Sequence, residues 1–298
     1  MISAHTRSLS AGLDCHMFSA SEYQLVDFGA GRKLERFGPY LIDRPAPGAL
    51  SVGPADPAAW SAAAARYDRA TGTDGTWTTA ADLPAAWSVH WRQLAFELKL
   101  TEFGHLGLFP EHAGSWPWLI QRIAQAGREL TVLNLFAYTG GATLAMAAAG
   151  ARVVHVDSAR SSVAWARRNA EQSGLSAAPI RWIVEDAPKF VSRELKRGNR
   201  YDAVVLDPPS YGHGPKGEPW KFDVGLPALV RDCIELTRDR LEFLLLSCHT
   251  PGFSARGAHD LFVAAAAGAA GRVAVAPVEL SSTDGRQLSC GIAARWET

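Results

Sequence analysis

From Thr131 onward, short runs of apolar residues alternate with longer segments whose apolar positions recur every three or four residues. The runs at 132–136, 152–156, 180–184, 203–206 and 241–247 have the length of buried strands, and the segments at 142–149, 159–173, 187–197 and 227–238 read as helices. This alternation predicts right-handed βαβ units and an α/β fold built on a parallel, doubly wound sheet. Two further strands, 273–280 and 287–296, are joined by a short Ser/Asp/Gly turn, which predicts a closing hairpin.

The first 128 residues follow a different pattern. Residues 23–28 and 40–43 read as short strands punctuated by Gly29, Gly31 and Gly38. A loop rich in proline and glycine follows, from Pro45 to Pro57. Trp60, Trp77, Trp87 and Trp91 recur with neither a helical nor a strand period. Residues 116–126 read as a helix leading into the second region. The expected organisation is a small β-rich N-terminal domain with a linker helix at 1–128, followed by a ligand-binding domain at 129–298.

Composition narrows the function classes. Of the 298 residues, 47% are hydrophobic and 20% charged, an ordinary globular balance. Thirty basic side chains meet thirty acidic ones, so no whole-molecule field draws the chain to nucleic acid or membrane. Any nucleic-acid contact needs a local patch, for which Arg32, Lys33, Arg36 and Arg44 are the candidates. Cys15, Cys233, Cys248 and Cys290 lack CxxC spacing and read as reduced thiols. The polar start carries no signal-peptide pattern, and no apolar run is long enough to span a bilayer, so a soluble cytoplasmic protein is expected. The histidines form no HxH or HxxxH pair, and no metal is expected.

In an open parallel sheet, ligands bind beyond the C-terminal strand ends, where strand order reverses. The residues after each strand are therefore the candidates. After the first comes Asn134-Leu-Phe-Ala-Tyr-Thr-Gly-Gly141, whose small residues allow a tight turn and close ligand approach. It is neither a GxGxxG fingerprint nor a phosphate-cradling P-loop. The second strand runs into Asp157, a carboxylate suited to two ribose hydroxyls. The third runs into Glu185 and Asp186, suited to an adenine amine. The fourth runs into Asp207-Pro-Pro-Ser-Tyr211, where the prolines stiffen the turn and leave an aromatic face nearby.

These motifs, with Gly104-His-Leu-Gly-Leu-Phe-Pro-Glu-His112, Val154-His-Val-Asp157 and Gly214-Pro-Lys-Gly-Glu-Pro-Trp-Lys221, resemble class I S-adenosylmethionine-dependent methyltransferases. Within that class the chain is similar to bacterial 23S rRNA cytosine-5 methyltransferases and their uncharacterised relatives. The resemblance implies a Rossmann-like sheet of seven strands with the last antiparallel. It implies S-adenosyl-L-methionine as cofactor, held by Asn134, Phe136, Ala137, Tyr138, Thr139 and Gly140, with Asp157, Asp186 and Asp207. Phe109 and Glu111 fall where relatives carry a segment covering the cofactor. RNA is the implied partner.

Two acceptor chemistries are open. A cytosine C-5 carbon is a poor nucleophile and needs a thiolate added to the neighbouring ring carbon. Cys248, in Leu244-Leu-Leu-Ser-Cys-His249, is the candidate, with His249 placed to lower its pKa. An exocyclic amine or a small molecule needs only acceptors that expose its lone pair. Asp207 and the Pro208 carbonyl are then the candidates, with Tyr211 stacking on the acceptor. The segment 211–221 is expected as a loop able to close over it.

Overall fold

The computed structural model describes residues 18–69, 75–213, 219–266 and 271–297. The N-terminal part builds a five-stranded sheet from β1 (Tyr23–Gly29), β2 (Arg32–Phe37), β3 (Tyr40–Pro45), β4 (Ala65–Arg69) and β5 (Gly75–Thr79). All neighbours are antiparallel except β3 and β4. Ala30 and Gly31 take φ of 50° and 76°, the doubly left-handed turn that matches the twist of a tight hairpin. A separate hairpin, β6 (Trp87–Trp91) and β7 (Leu94–Leu98), precedes a 3-10 turn at Pro110–Ser115 and helix α1 (Trp116–Gln125).

The second part follows the predicted alternation. It runs β8 (Thr131–Leu135), α2 (Gly141–Ala148), β9 (Arg152–Asp157), α3 (Arg160–Gln172), β10 (Ile180–Val184), α4 (Ala187–Lys196) and β11 (Ala203–Leu206). A two-stranded ribbon, β12 (Tyr211–His213) and β13 (Pro219–Lys221), comes next, so the expected loop is a hairpin; residues 214–218 lie outside the described residues. The chain then continues through α5 (Phe222–Leu236), β14 (Phe243–Cys248), α6 (Ala255–Ala266), β15 (Arg272–Ser281) and β16 (Gln287–Glu297).

The large sheet has seven strands in the order β10-β9-β8-β11-β14-β16-β15. Six run in the same direction, and the last, β16, inserts antiparallel between β14 and β15 as expected. After β8 the chain winds outward to β10, then returns across β8 to β11. The order thus reverses between β8 and β11, whose ends, Leu135 and Leu206, pair in register. β11 and β14 are buried along their whole length, the continuous apolar signature of strands covered on both faces.

The two parts share one core. A single apolar cluster runs from Phe28, Phe37 and Trp91 through Trp116 to Leu144 and Val153. The β15–β16 turn clamps the N-terminal sheet from outside: Thr283 N donates to Leu25 O, and Arg286 donates to Phe28 O, Gly53 O and the Asp27 carboxylate. Asp27 also accepts from Ala55 N, Asp56 N and Trp60 Nε1. Burial alone would raise its pKa, but these hydrogen bonds outweigh burial and lower it.

Several elements differ from expectation. α5 starts at Phe222, five residues earlier than predicted, and carries Pro227 inside it. β2, β4–β7 and α6 were not expected. β2 reads as a surface segment because four of its six residues are charged, yet Glu35 is fully buried. Its carboxylate takes hydrogen bonds from Tyr23 OH and Arg44 and an ion pair from Lys33. Arg32 pairs with Asp43 and Asp68. Three members of the predicted basic patch are therefore neutralised within the sheet. Cys15 lies outside the described residues.

Candidate functional site

The β8–α2 connection turns through three left-handed residues: Phe136 at φ 54°, Tyr138 at 49° and Gly140 at 92°. For the two aromatic residues this conformation costs on the order of 1–3 kcal/mol each, and such strain concentrates at ligand sites. The surroundings hold it in place. Ala137 N donates to Val156 O, Asn169 Nδ2 to Thr139 O, and Thr139 Oγ1 to Gly107 O. Asn134 is buried and donates to Thr143 Oγ1, which in turn meets His155 Nδ1 at 2.9 Å. The side chains of Asn134 and Thr139 thus brace the loop from behind. A Cβ on Gly141 would stand 2.6 Å from the Trp116 ring, so this turn admits no larger residue without a shift.

Asp157 extends the same edge. Its Oδ2 accepts from Tyr138 N at 2.8 Å and its Oδ1 from Ala159 N at 2.9 Å. Burial raises its pKa despite those bonds. The carboxylate is thereby aimed by backbone amides, with lone pairs left for a ligand. Asp186 caps α4 by accepting from Lys189 N, and Glu185 pairs with Arg193.

Between these loops lies a hollow lined by Phe109, Phe136, Ala137, Tyr138, Asp207 and Ser247, among others. Phe109 comes from the N-terminal part and its ring centroid is 5.4 Å from that of Tyr138. Asp207 enters from β11 and faces two imidazoles, His112 Nε2 at 3.2 Å and His249 Nε2 at 3.3 Å. Burial would raise the Asp207 carboxyl, but the two imidazoles outweigh it and hold the group well below the usual carboxylate range. Burial would lower His249, but Asp207 and Glu111 outweigh it and push its pKa up to about 9.

The two acceptor candidates have opposite settings. Tyr211 begins the β12–β13 ribbon and is 58% exposed. The turn before it is fixed by Trp220 Nε1 donating to Pro209 O. Cys248 is 1% exposed and packs among the apolar side chains between the sheet and α5 and α6. Burial raises its thiol pKa, and Sγ accepts weakly from Thr250 N at 3.4 Å. His249 does not reach back to it, because its Nδ1 meets Cys290 O. Cys233 is buried within α5 and Cys290 half-buried in β16.

A switch-point hollow flanked by a strained loop, an amide-aimed carboxylate and aromatic walls fits a nucleoside cofactor with an amino-acid tail. The loop, Asp157 and the buried Asp207 oxygen suit its hydroxyl, amine and sulfonium groups. The fold and site together define the class of Rossmann-like methyltransferases.

The S-adenosylmethionine-dependent methyltransferase family profile matches residues 54–218, and the chain belongs to that family. It is 37% identical to a SAM-dependent methyltransferase of known structure from Agrobacterium tumefaciens, with a TM-score of 0.88, covering 94% of this chain and 92% of that one. It is also 33% identical over 132 residues to the ribosomal RNA large subunit methyltransferase K/L of Shewanella sp. strain MR-4. The corresponding protein of Magnetococcus marinus is 34% identical over 122 residues. These matches cover 43% and 40% of this chain, which spans less than a fifth of either relative's length. The protein is therefore an enzyme that uses S-adenosyl-L-methionine.

Sequence reasoning passed over the Asp207–His112–His249 cluster. Asp207 and His249 were singled out at strand ends, but for the acceptor and for Cys248 and not as partners of each other. His112 gave no such signal, since only the fold carries the Pro110–Ser115 turn to the end of β11.

Proposed function

We propose that this enzyme transfers the methyl group of S-adenosylmethionine to a nitrogen acceptor on an RNA base, oriented by Asp207, the Pro208 carbonyl and Tyr211. The contrast between Cys248 and Tyr211 carries this reading. A cytosine-5 mechanism needs a thiolate that reaches the base, and Cys248 is sealed, with its thiol form favoured by burial. An amine needs only acceptor groups and a stacking face; Asp207 lines the hollow, and Tyr211, four residues further along the same turn, is exposed.

The cofactor supplies an electrophilic methyl group on a sulfonium. The chain's part is alignment: Asp157 holds the ribose, Asp186 the adenine edge, and the 134–140 loop the amino-acid tail. Phe109 closes the hollow from the N-terminal side, so residues 1–128 act as the acceptor-selecting domain and 129–298 as the cofactor domain. In-line positioning of this kind accounts for much of the rate in methyl transfer. RNA as acceptor is supported by the names of the ribosomal relatives, and a cytoplasmic enzyme goes with that reading. Among the described residues no helix is long and apolar enough to cross a membrane.

One observation favours a second reading. Arg32, Lys33 and Arg44 are engaged with carboxylates and leave little positive charge for phosphates there, which suits a small-molecule acceptor. Transfer of radiolabelled methyl into total RNA from a strain lacking the gene, followed by nucleoside identification, separates the two. An N-methylated nucleoside is expected. Label in 5-methylcytidine would restore the thiolate mechanism, and cofactor binding without label in RNA would move the acceptor to a small molecule.

A further inference from the structure

We propose that His112, Asp207 and His249 form a binding site for a first-row divalent cation of the zinc type, set at the rim of the cofactor hollow. The three residues come from three separate segments: the 3-10 turn before α1, the end of β11 and the end of β14. Their donor atoms converge. The two Nε2 atoms are 3.1 Å apart, and they stand 3.2 and 3.3 Å from the two Asp207 oxygens. Ligands bound to one ion at about 2.0–2.2 Å are about 2.8–3.6 Å from one another on adjacent positions, octahedral at the short end and tetrahedral at the long end. Each of these three contacts has that size, and one donor atom from each residue lies within 4.8 Å of the other two.

Hydrogen bonding alone accounts poorly for this arrangement. Hydrogen-bond geometry within the cluster is met between the two Nε2 atoms, which can share one proton. Asp207 Oδ1 is buried and faces His249 Nε2 at 3.3 Å without an aligned hydrogen bond, and Glu111 Oε2, in the residue before His112, has no hydrogen bond. A cation among the imidazoles and the carboxylate satisfies Asp207 and both nitrogen lone pairs together.

The outer shell supports the same assignment. His249 Nδ1 meets the backbone oxygen of Cys290, which makes Nδ1 the protonated nitrogen and leaves the Nε2 lone pair for the ion. Gly291 allows β16 to pass this close: a Cβ there would lie 2.2 Å from Cys248 O and 3.2 Å from His249 Nδ1. Two imidazoles and one carboxylate with positions left open is the donor set of a reactive zinc-type site rather than a closed structural one. His112 and Asp207 also line the hollow, so the open positions face the space that the cofactor and acceptor share.

The test is metal binding by the full chain after chelator dialysis, measured as Zn²⁺ per chain and by the visible spectrum with Co²⁺. One equivalent is expected in the wild type, with a Co²⁺ spectrum showing nitrogen ligation. His112→Ala and His249→Ala should weaken Zn²⁺ by more than the roughly 10–100-fold that loss of an outer hydrogen-bond partner costs. His259→Ala, on the outer face of α6, should bind as the wild type does. Far-ultraviolet dichroism checks that each variant folds, and the wild-type Co²⁺ spectrum stands without any variant. The assignment is overturned if the wild type takes up no Co²⁺ with a nitrogen-ligated spectrum, or if the His112→Ala/His249→Ala chain binds Zn²⁺ equally well, which would leave a proton-bridged cluster only.

Discussion

The two halves of this chain solve the same packing problem with opposite chemistry. The large sheet is dry: β11 and β14 are buried along their whole length, and the carboxylates Asp157 and Asp207 stand at the C-terminal edge. The N-terminal sheet buries charge in its middle, where Glu35 joins Tyr23, Lys33 and Arg44. Burial alone would lower the Arg44 pKa, but Glu35 outweighs it and raises the value. A small sheet with short strands cannot exclude water by apolar area alone, and a fully paired ionic cluster gives it a specific register. The large sheet has area to spare, so the carboxylates Asp157 and Asp207 can stand at the edge where ligands bind, while Asp202 at the other end is paired with Arg128 and Arg240. Polarity inside the first sheet reads as architecture, and polarity at the edge of the second reads as chemistry.

Removing Glu35 is the hardest test of that contrast. Glu35→Ala leaves the Arg44 guanidinium buried without its carboxylate, and should destabilise the fold by about 3–5 kcal/mol in urea unfolding. A loss under about 1 kcal/mol would mean that the cluster is incidental to the sheet. The matching change in the other half is Asp157→Ala. It should weaken cofactor affinity by about 10–100-fold, the worth of hydrogen bonds to a charged group, as read by calorimetry. Unchanged affinity would remove the ribose role.

His155 sharpens the comparison from inside the dry sheet. It is fully buried, and burial depresses its pKa to about 3. The unfolded chain takes up a proton near pH 6.5 that the folded chain refuses, so this group's contribution is present above pH 6.5 and is lost as pH falls below it. The slope reaches about 1.4 kcal/mol per pH unit. His155→Gln should flatten the stability profile between pH 6.5 and 5, and parallel profiles for the two proteins would sink the assignment. The smallest effect is expected at Cys248. As a core thiol, Cys248→Ala should leave turnover within about twofold, whereas a nucleophile would lose nearly all of it. Initial-rate assays with the identified acceptor decide between them.

Much was legible before any coordinates because the second half is built on strong periodicities. The strands at 180–184 and 203–206 match the observed β10 and β11 at both ends, and the terminal hairpin is off by a residue at most. Buried parallel strands are short apolar runs, told from buried helical segments by their length and their β-branched content. The N-terminal half was legible only in part. β2 and β4 carry charges whose partners come from other strands, so their sequence reads as surface. α6 is alanine-rich and offered no sharp boundary.

The site divides in the same way. The order of Asn134, Asp157, Asp186 and Asp207 at successive strand ends is a local property, and the sequence alone determined it along with the cofactor class. What the sequence could not decide is where side chains of distant segments meet or which way each points. Asn134 reached Thr143 on α2 and Thr139 reached the Gly107 carbonyl, Cys248 turned into the core, and three lysine and arginine side chains found carboxylates. His112 and His249 lie 137 residues apart yet approach within 3.1 Å, because the strand crossover carries β14 beside β11 while the 3-10 turn brings His112 to Asp207. Periodicity encodes which face of an element is buried, but the meeting of two faces depends on the closure of the whole sheet, and only the tertiary structure supplies that.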